Sequence, residues 1–252
     1  MILTEHLINP DWPVPPNVRA LQTTRQGGVS AAPYDTLNLG EHVGDEPLTV
    51  ARNRELLNHL LPSEPVWLEQ GHGTLVADAD HASCLPQADA CIARHHGSVC
   101  VVMTADCLPV LLCDKQGTVV GATHAGWKGL AAGVIEATVQ AMGVAPQNLM
   151  AWMGPAISQE FFEVGEEVRA AFVTAQPQAA SAFSPSPLMG EGRGEGEKYL
   201  ADIYALARLR LNALGIMQIY GGGYCTYRER EKFFSYRRDG ATGRMGTFIW
   251  LS

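Results

Sequence analysis

Two histidines and one cysteine stand where apolar, strand-like segments give way to short loops. His72 lies in the sequence GHG, Cys107 ends TADC, and His124 lies in THAGW. Imidazole and thiolate together suit Zn²⁺ or copper, and three protein ligands with an open fourth position are typical of catalytic zinc. The separations of 35 and 17 residues match no zinc finger or ribbon. The prediction of a catalytic metal site therefore depends on residue type and placement, not on spacing.

The same residues leave other interpretations open. Cys107 could be a nucleophile with a histidine as its base, which would make the protein a thiol hydrolase. A core thiol and a histidine in a turn would be the ordinary structural interpretation. Two further groups, His95 with His96 and the DADH segment at 78–81, carry metal-binding side chains in polar stretches typical of a surface.

Loop residues beside glycines are candidates for anion binding. Lys128 lies in GWKG between a strand and a helix, where free backbone amides favour an anion. Arg25 precedes a glycine pair, and Arg244 lies in TGRM. The phosphate loop GxxxxGK[ST], the dinucleotide motif GxGxxG and the nucleobase-deaminase signature are absent from the sequence, which disfavours the corresponding classes.

Strands and helices are predicted to interleave irregularly. Helices are predicted at Pro47–Leu61, Leu130–Met142, Glu163–Val173 and Tyr199–Leu214; strands are predicted at Ala20–Arg25, Val66–Gln70, Val99–Thr104, Pro109–Cys113, Thr118–Thr123, Met150–Met153, Ile216–Tyr220 and Thr247–Leu251. This order favours an α/β fold, a single domain over residues 1–252 with mixed β-sheet layers flanked by helices. Ser184–Glu197, rich in Gly, Pro, Ser and Glu, is interpreted as a disordered surface insertion.

Composition limits the class of protein. The chain has 252 residues, of which 46% are hydrophobic, and no run approaches the roughly 20 apolar residues of a membrane span. With no basic, apolar leader at its start, the protein is expected to be soluble and cytoplasmic, with its six cysteines reduced. The net charge of −8 disfavours nucleic acid or an anionic membrane as a partner. The oligomeric state is not predicted.

Six segments resemble the YfiH family, also called the laccase-domain or multicopper polyphenol oxidase family. They are TTRQGGVS, NLGEHVGD, ADACIARHHGSVCVVMTADCLPVLLCD, THAGWKGLAAGV, MGPAISQEFFEVGEEV and FFSYRRDGATGRMGTFIWL, and they extend from about Leu21 to Leu251. The family usually has valine before the first HG step, as in QVHG, whereas this chain has Gly71 there. The histidine itself is retained.

The resemblance implies zinc at His72, Cys107 and His124, a YfiH-like fold, and purine nucleoside phosphorylase activity on adenosine, inosine and methylthioadenosine, with adenosine deamination. These three residues would be the catalytic and metal-binding set, with copper as an alternative ion. A purine nucleoside and phosphate would be the partners. Arg25 and Lys128 are then expected to hold phosphate, and Asn38 to orient the sugar or base.

The family also carries two alternative functions. One is a copper polyphenol oxidase (laccase), which needs several copper ions, whereas only two of the eight histidines stand in strong positions. The other is a Cys-dependent hydrolase in peptidoglycan precursor editing, for which Cys107 and the same histidines would serve.

Overall fold

The apolar runs of the chain form strands that are joined by helices of varied length. The structure is a computed structural model and describes residues 4–82, 84–187 and 197–252. The strands are β1 (Leu7–Ile8), β2 (Val18–Thr23), β3 (Val76–Asp78), β4 (Ala90–Ala93), β5 (Val99–Thr104), β6 (Leu108–Asp114), β7 (Val120–Ala125), β8 (Leu149–Met153), β9 (Glu163–Gly165), β10 (Phe183–Pro185), β11 (Lys198–Ala201), β12 (Gln218–Gly221) and β13 (Met245–Leu251). The α-helices are α1 (Pro47–Glu55), α2 (Trp127–Ala132), α3 (Val134–Met142), α4 (Glu166–Val173), α5 (Ile203–Leu214) and α6 (Tyr236–Asp239).

The strands form three sheets. The largest has six strands in the order β12-β8-β6-β7-β4-β3, with parallel pairing at β12–β8 and β3–β4 and antiparallel pairing between its other neighbours. A four-stranded antiparallel sheet has the order β1-β2-β13-β5, and a three-stranded one the order β10-β11-β9. The predicted α/β class with mixed sheets in a single domain is confirmed.

The central strands are buried on both faces. Every residue of β5, β6 and β7 is buried, which explains why these segments are almost continuously apolar. On β6, Val110 and Leu112 pack in the cluster that contains Ile135 of α3, whereas Leu111 and Cys113 pack in the cluster shared with the four-stranded sheet. Period-two alternation thus places β6 between helices and a second sheet. This packing fixes the loops at both ends of β6.

The predicted elements agree best with the structure where every residue of a segment is buried. The strand Val99–Thr104 has the predicted bounds, whereas the helix predicted at Leu130–Met142 begins earlier and is divided at Gly133, whose φ is 98°. The helices predicted at Glu163–Val173 and Tyr199–Leu214 each begin with a strand instead. Those strands, β9 and β11, pair with each other although they are far apart in sequence. A pairing between distant segments produces no local sequence pattern, so the sequence did not predict these two strands.

The predicted insertion at Ser184–Glu197 is only partly covered by the described residues. Ser184 and Pro185 pair with Leu200 and Tyr199 in β10–β11, so the first part of the segment belongs to the small sheet. Residues 188–196 lie outside the described residues, and the disorder proposed for them stays a prediction. Among the described residues, no helix combines the length and the apolar character needed to cross a membrane.

Candidate metal centre

His72 is presented by a loop that a buried carboxylate holds in place. The strand predicted at Val66–Gln70 is present only as isolated bridges, and the loop after it places His72 at a φ of 61°. Side chains other than glycine rarely occupy this left-handed region. Asp89 accepts hydrogen bonds from three consecutive backbone N–H groups, at 3.2 Å for Gly71, 2.9 Å for His72 and 2.6 Å for Gly73. The carboxylate therefore fixes where the imidazole of His72 can point.

Cys107 lies in the turn between β5 and β6, next to a second fixed carboxylate. Asp106 has a φ of 92°, and its carboxylate accepts hydrogen bonds from the Thr226 hydroxyl at 2.6 Å and the Arg237 backbone N–H at 2.7 Å. Its carbonyl oxygen accepts the N–H of Ile157 at 3.0 Å. The turn is thus tied to two distant segments, which holds Cys107 at the edge of the large sheet.

His124 is on β7, opposite Pro109 of β6, and is buried with only 3% of its surface exposed. Its Nδ1 lies 2.8 Å from Oδ1 of Asp89, and its backbone N–H donates to the Asp89 carbonyl at 2.7 Å. Because Nδ1 faces the carboxylate, Nε2 is the ring nitrogen left for a ligand. A carboxylate behind a ligating histidine is the usual outer partner of a metal site, since it fixes the ring and its tautomer.

The three predicted ligands are brought together. One candidate ligand atom from each of His72, Cys107 and His124 lies within 4.8 Å of the others, and Sγ of Cys107 is 3.7 Å from Nε2 of His72. Tetrahedral zinc, with Zn–N near 2.0 Å and Zn–S near 2.3 Å, would place such atoms about 3.5 Å apart. The donor set, its separations and the carboxylate behind His124 all fit a tetrahedral metal ion. Of the three residues, His72 is exposed, Cys107 is half-buried and His124 is buried.

Without a metal, the cluster favours a thiolate beside an imidazolium. Burial opposes ionisation of Cys107, but the charge of His124 and hydrogen bonds from both histidines outweigh it and lower the pKa of Cys107 to about 6. Burial likewise opposes the charge on His124, but Cys107 and the hydrogen bond to Asp89 raise its pKa to about 9. A thiolate is the form that binds metal, whereas the imidazolium of His124 would have to release its Nε2 proton before that nitrogen could bind an ion.

Gly126 leaves the room that the cluster needs. A Cβ atom at this position would lie 2.7 Å from Cδ2 of His72 and 3.0 Å from Sγ of Cys107. Both contacts are shorter than packed side chains allow. Glycine is therefore required by the close approach of two ligands to the backbone that follows the third.

A small cavity adjoins the cluster. Its volume is about 180 Å³, and its lining residues are Ala105, Asp106, Cys107, Trp127, Ile157, Phe162, Ile203, Tyr236 and Arg237. Most of this wall is apolar or aromatic. The metal cluster therefore faces a space suited to a flat, apolar ring system with polar groups at its edge.

The structure gives Arg25 and Asn38 supporting contacts. Nε of Arg25 donates to the Asp35 carbonyl at 2.9 Å, Nη1 to the Arg230 carbonyl at 3.2 Å, and Nη2 lies 3.2 Å from the Asp35 carboxylate. Asn38 is fully buried, and its amide bonds the backbone of Gly40 and the Asp45 carboxylate. Each residue holds loops together, and their predicted substrate contacts stay predictions.

Lys128 is exposed on the first turn of α2, with Nζ 5.7 Å from the ring centroid of Trp127, which lines the cavity. Its predicted contact with phosphate stays a prediction. The other candidate group is not a metal cluster among the described residues: His95 lies 3.7 Å from Asp80, and its ring stacks edge-on against His81 at 6.0 Å. His95 therefore makes only ordinary surface contacts with Asp80 and His81.

Two residues that complete the centre were not singled out by the sequence. Asp89 precedes β4 with no neighbouring ligand residue, so nothing local marks it as the partner of His124. Gly126 was noted only as part of a phosphate-binding loop. The sequence signal for Gly126 was its position directly after β7, the strand that carries His124. A glycine at such a position often marks a close approach of the backbone to another group.

The fold and the site define an α/β protein with a three-residue His-Cys-His cluster that could hold a metal ion, beside an aromatic cavity. Residues 19–252 match the family model described as multi-copper polyphenol oxidoreductase laccase. The chain therefore belongs to this laccase-like family, which confirms the resemblance to YfiH proteins.

Curated relatives match the chain over nearly its full length. Purine nucleoside phosphorylase YfiH of Escherichia coli K12 is 54% identical over 250 residues, covering 97% of this chain and 98% of the relative. Purine nucleoside phosphorylase of Haemophilus influenzae is 49% identical over 246 residues, with the same two coverages of 97% and 98%.

Solved structures show the same fold. A Neisseria meningitidis protein of family DUF152 superposes with a TM-score of 0.91 at 52% identity, covering 98% of this chain and 99% of that one. The hypothetical protein YfiH of Bacillus licheniformis gives a TM-score of 0.83 at 31% identity, covering 93% of each chain.

Proposed function

We propose that this protein is a zinc-dependent purine nucleoside phosphorylase acting on adenosine, inosine and methylthioadenosine, and that it also deaminates adenosine. The observation that carries the proposal is the convergence of His72, Cys107 and His124 beside an aromatic cavity. Relatives at 54% and 49% identity that are named purine nucleoside phosphorylases support it. Zinc is preferred to copper because imidazole and thiolate are both zinc ligands, and three protein ligands with an open fourth position are the arrangement of catalytic zinc.

In phosphorolysis, an oxygen of phosphate bonds to C1′ of the ribose as the bond from C1′ to the base nitrogen breaks. The electron pair leaves with the purine, which takes up a proton, and ribose 1-phosphate is the other product. The chain's part is to hold the two reactants in line and to keep water away from C1′. In deamination, an oxygen from water replaces the amino group at C6, and ammonia leaves.

The cavity is suited to the base. Trp127, Phe162 and Tyr236 offer aromatic surfaces against which a purine can pack. Ligand pockets commonly measure about 300–1,000 Å³, so a volume of about 180 Å³ would hold the base and leave the sugar at the mouth. In this arrangement the reacting bond would lie near Cys107.

A metal ion held by His72, Cys107 and His124 would supply a Lewis acid at that mouth. The chain supports this by fixing the ligands: Asp89 orients the ring of His124 and holds the loop of His72. One cluster of at least three possible ligands occurs among the described residues, which matches a single ion and gives no support to the several copper sites of a laccase.

A thiol hydrolase is the second candidate, favoured by one specific observation. The pKa of Cys107 is lowered to about 6 beside a histidine, as for a nucleophilic cysteine. The thiolate would attack a carbonyl carbon, as in amide cleavage of a cell-wall precursor, with a histidine protonating the leaving nitrogen; water would then cleave the thioester, releasing the carboxylate and the free thiol. Chelation separates the candidates, because it would stop a zinc enzyme and leave a thiol hydrolase active.

The test combines metal analysis with product chromatography on inosine, adenosine and methylthioadenosine, with phosphate and with or without a chelator. We expect about one zinc per chain, with base release that is lost on chelation and restored by Zn²⁺. His72→Asn should lose metal and turnover, since asparagine tolerates the left-handed backbone at this position. His59→Ala, at an exposed histidine outside the cluster, is the control. Metal-free wild type that releases no base would overturn the proposal.

A further inference from the structure

Arg244 is held rigidly just before β13. Its backbone N–H donates to Oδ1 of Asn38 at 2.9 Å, and its carbonyl accepts the N–H of Leu39 at 3.2 Å. Its side chain lies across Gly40, where a Cβ atom would be 2.8 Å from Cγ of Arg244. The buried Asn38 therefore positions this arginine, and the NLG sequence is needed for its placement.

The guanidinium of Arg244 keeps one edge free. Nη1 donates to the carbonyls of Thr242 and Gly243, both at 3.0 Å. Within residues 4–82, 84–187 and 197–252, Nε and Nη2 have no hydrogen-bond acceptor, and no carboxylate lies within salt-bridge distance. Nε–H and one N–H of Nη2 point the same way, which is the fork that binds two oxygens of a phosphate or carboxylate.

Other buried arginines of the chain contrast with Arg244. All three nitrogens of Arg25 are occupied by Asp35 and the Arg230 carbonyl. All three nitrogens of Arg238 likewise have carbonyl or carboxylate acceptors. The free fork of Arg244 can therefore donate two hydrogen bonds to the oxygens of an anionic ligand.

The free fork is near the metal cluster. The guanidinium carbon of Arg244 lies 5.9 Å from the ring centroid of Tyr236, which lines the same cavity as Cys107. Burial lowers the pKa of Arg244, and the negative groups that act on it electrostatically, the largest first, are Cys107 and Asp106. Arg244 therefore shares the electrostatic environment of the ligand cysteine at the cavity.

We propose that Arg244 binds the phosphate co-substrate through Nε and Nη2, beside the aromatic cavity proposed to hold the base. This inference rests on the proposed phosphorylase function and assigns its second reactant a binding residue. The same fork would hold the phosphate group of ribose 1-phosphate in the reverse reaction, so both sources share one site. In Arg25, expected from the sequence to do this, each of the three guanidinium nitrogens already contacts an oxygen of Asp35 or Arg230.

The experiment uses zinc-loaded full-length protein with inosine and inorganic phosphate as reactants. Arg244→Gln removes the charge and the fork, and Arg244→Lys keeps the charge without the fork. Arg19→Gln, at an exposed arginine on β2, is the matched control. We measure KM for phosphate, KM for inosine, zinc per chain and direct binding of inorganic phosphate by calorimetry.

For Arg244→Gln we expect KM for phosphate to rise by at least roughly 10-fold, as loss of a charge-assisted pair implies. KM for inosine and zinc content should stay within about twofold, since Arg244 is not expected to touch the base or the metal. Arg244→Lys should fall between glutamine and wild type, and it keeps the test decisive if the glutamine variant does not fold. An unchanged phosphate KM and calorimetric affinity in both variants would overturn the inference.

The outcomes separate this inference from the function on which it rests. If wild type releases no base from any nucleoside but binds phosphate through Arg244, the phosphorylase proposal fails and the anion site stands. If wild type is active and both Arg244 variants bind phosphate normally, the function stands and the inference fails.

Discussion

The carboxylate of Asp89 lies 2.8 Å from Nδ1 of His124. The same carboxylate accepts the backbone N–H of His72 at 2.9 Å, so one side chain orients two of the three candidate ligands, which are 52 positions apart in sequence. Its charge is also favoured in the folded state. Burial opposes that charge, but the hydrogen bonds from His124, Gly73 and His72 outweigh it and lower the pKa of Asp89.

Asp89→Asn should weaken metal binding by roughly 10- to 100-fold, the usual effect of losing an outer carboxylate. The asparagine cannot supply the negative charge behind His124 and satisfies fewer of the loop N–H groups. Zinc affinity measured by competition with a chromophoric chelator checks this. Asp11→Asn, at an exposed aspartate, should bind zinc as wild type does. Wild-type affinity in the Asp89 variant would show that the carboxylate has no part in the site.

Gly126→Ala should displace His72 while leaving the fold intact. The new Cβ would lie 2.7 Å from Cδ2 of His72, and because this ring is exposed it can swing aside, taking Nε2 away from Cys107. We expect zinc affinity to fall by on the order of 10-fold or more, comparable to loss of an outer-shell partner. Gly223→Ala is the control, since a Cβ there has no atom within 4 Å. Circular dichroism establishes folding, and equal zinc affinities for the two variants would contradict the prediction.

The sequence predicts the ligands and the central strands for the same physical reason. Strands β5, β6 and β7 are buried on both faces, so their apolar runs are continuous and their ends stand out, with Cys107 and His124 at those ends. The metal set could therefore be read from residue type and position. The residues that support it could not, because the pairing of Asp89 with His124 exists only after β4 and β7 have come together.

Which arginine keeps free hydrogen-bond donors could not be predicted from the sequence for a related reason. Arg25 and Arg244 look alike in sequence, each in a loop with glycine nearby. The structure separates them through contacts with distant residues: the carbonyl of Arg230 and the carboxylate of Asp35 occupy Arg25, whereas Arg244 keeps Nε and Nη2 free within the described residues. Which donors remain available is a property of tertiary contacts, and no local pattern contains it.

Asp80 should make stability depend on pH. Burial raises its pKa, but hydrogen bonds from the Arg94 backbone, the Ser98 side chain and the His95 backbone outweigh this, and the net shift is downward. A lowered folded pKa gives stability that is present above the unfolded value, near 3.9, and is lost as pH falls through the folded value. Asp80→Asn should therefore cost about 1–2 kcal/mol at pH 7.

Urea unfolding of wild type and Asp80→Asn at several pH values checks this prediction. The difference in unfolding free energy should be constant from pH 7 down to about pH 5 and should narrow below about pH 4, where the carboxylate of the unfolded wild-type chain begins to protonate. Both proteins are compared in the same metal state, so zinc binding does not enter the difference. If the difference in unfolding free energy between the two proteins widened as pH falls, the Asp80 carboxylate would be excluded as its cause.

Alkylation of Cys107 in chelated protein should follow the ionisation of its thiol. Since the pKa is lowered to about 6, the rate with iodoacetamide should rise with pH up to that value and level off near pH 7. His124→Asn removes the positive charge that contributes most to lowering the pKa of Cys107. In this variant the midpoint of the alkylation profile should move toward the ordinary thiol value near 8.5. Peptide mapping separates Cys107 from the exposed Cys84, which serves as the internal comparison. Zinc should block the reaction at Cys107 and leave Cys84 unaffected, whereas a Cys107 rate that is unchanged by zinc and keeps rising to pH 8.5 would place the thiolate outside the metal site.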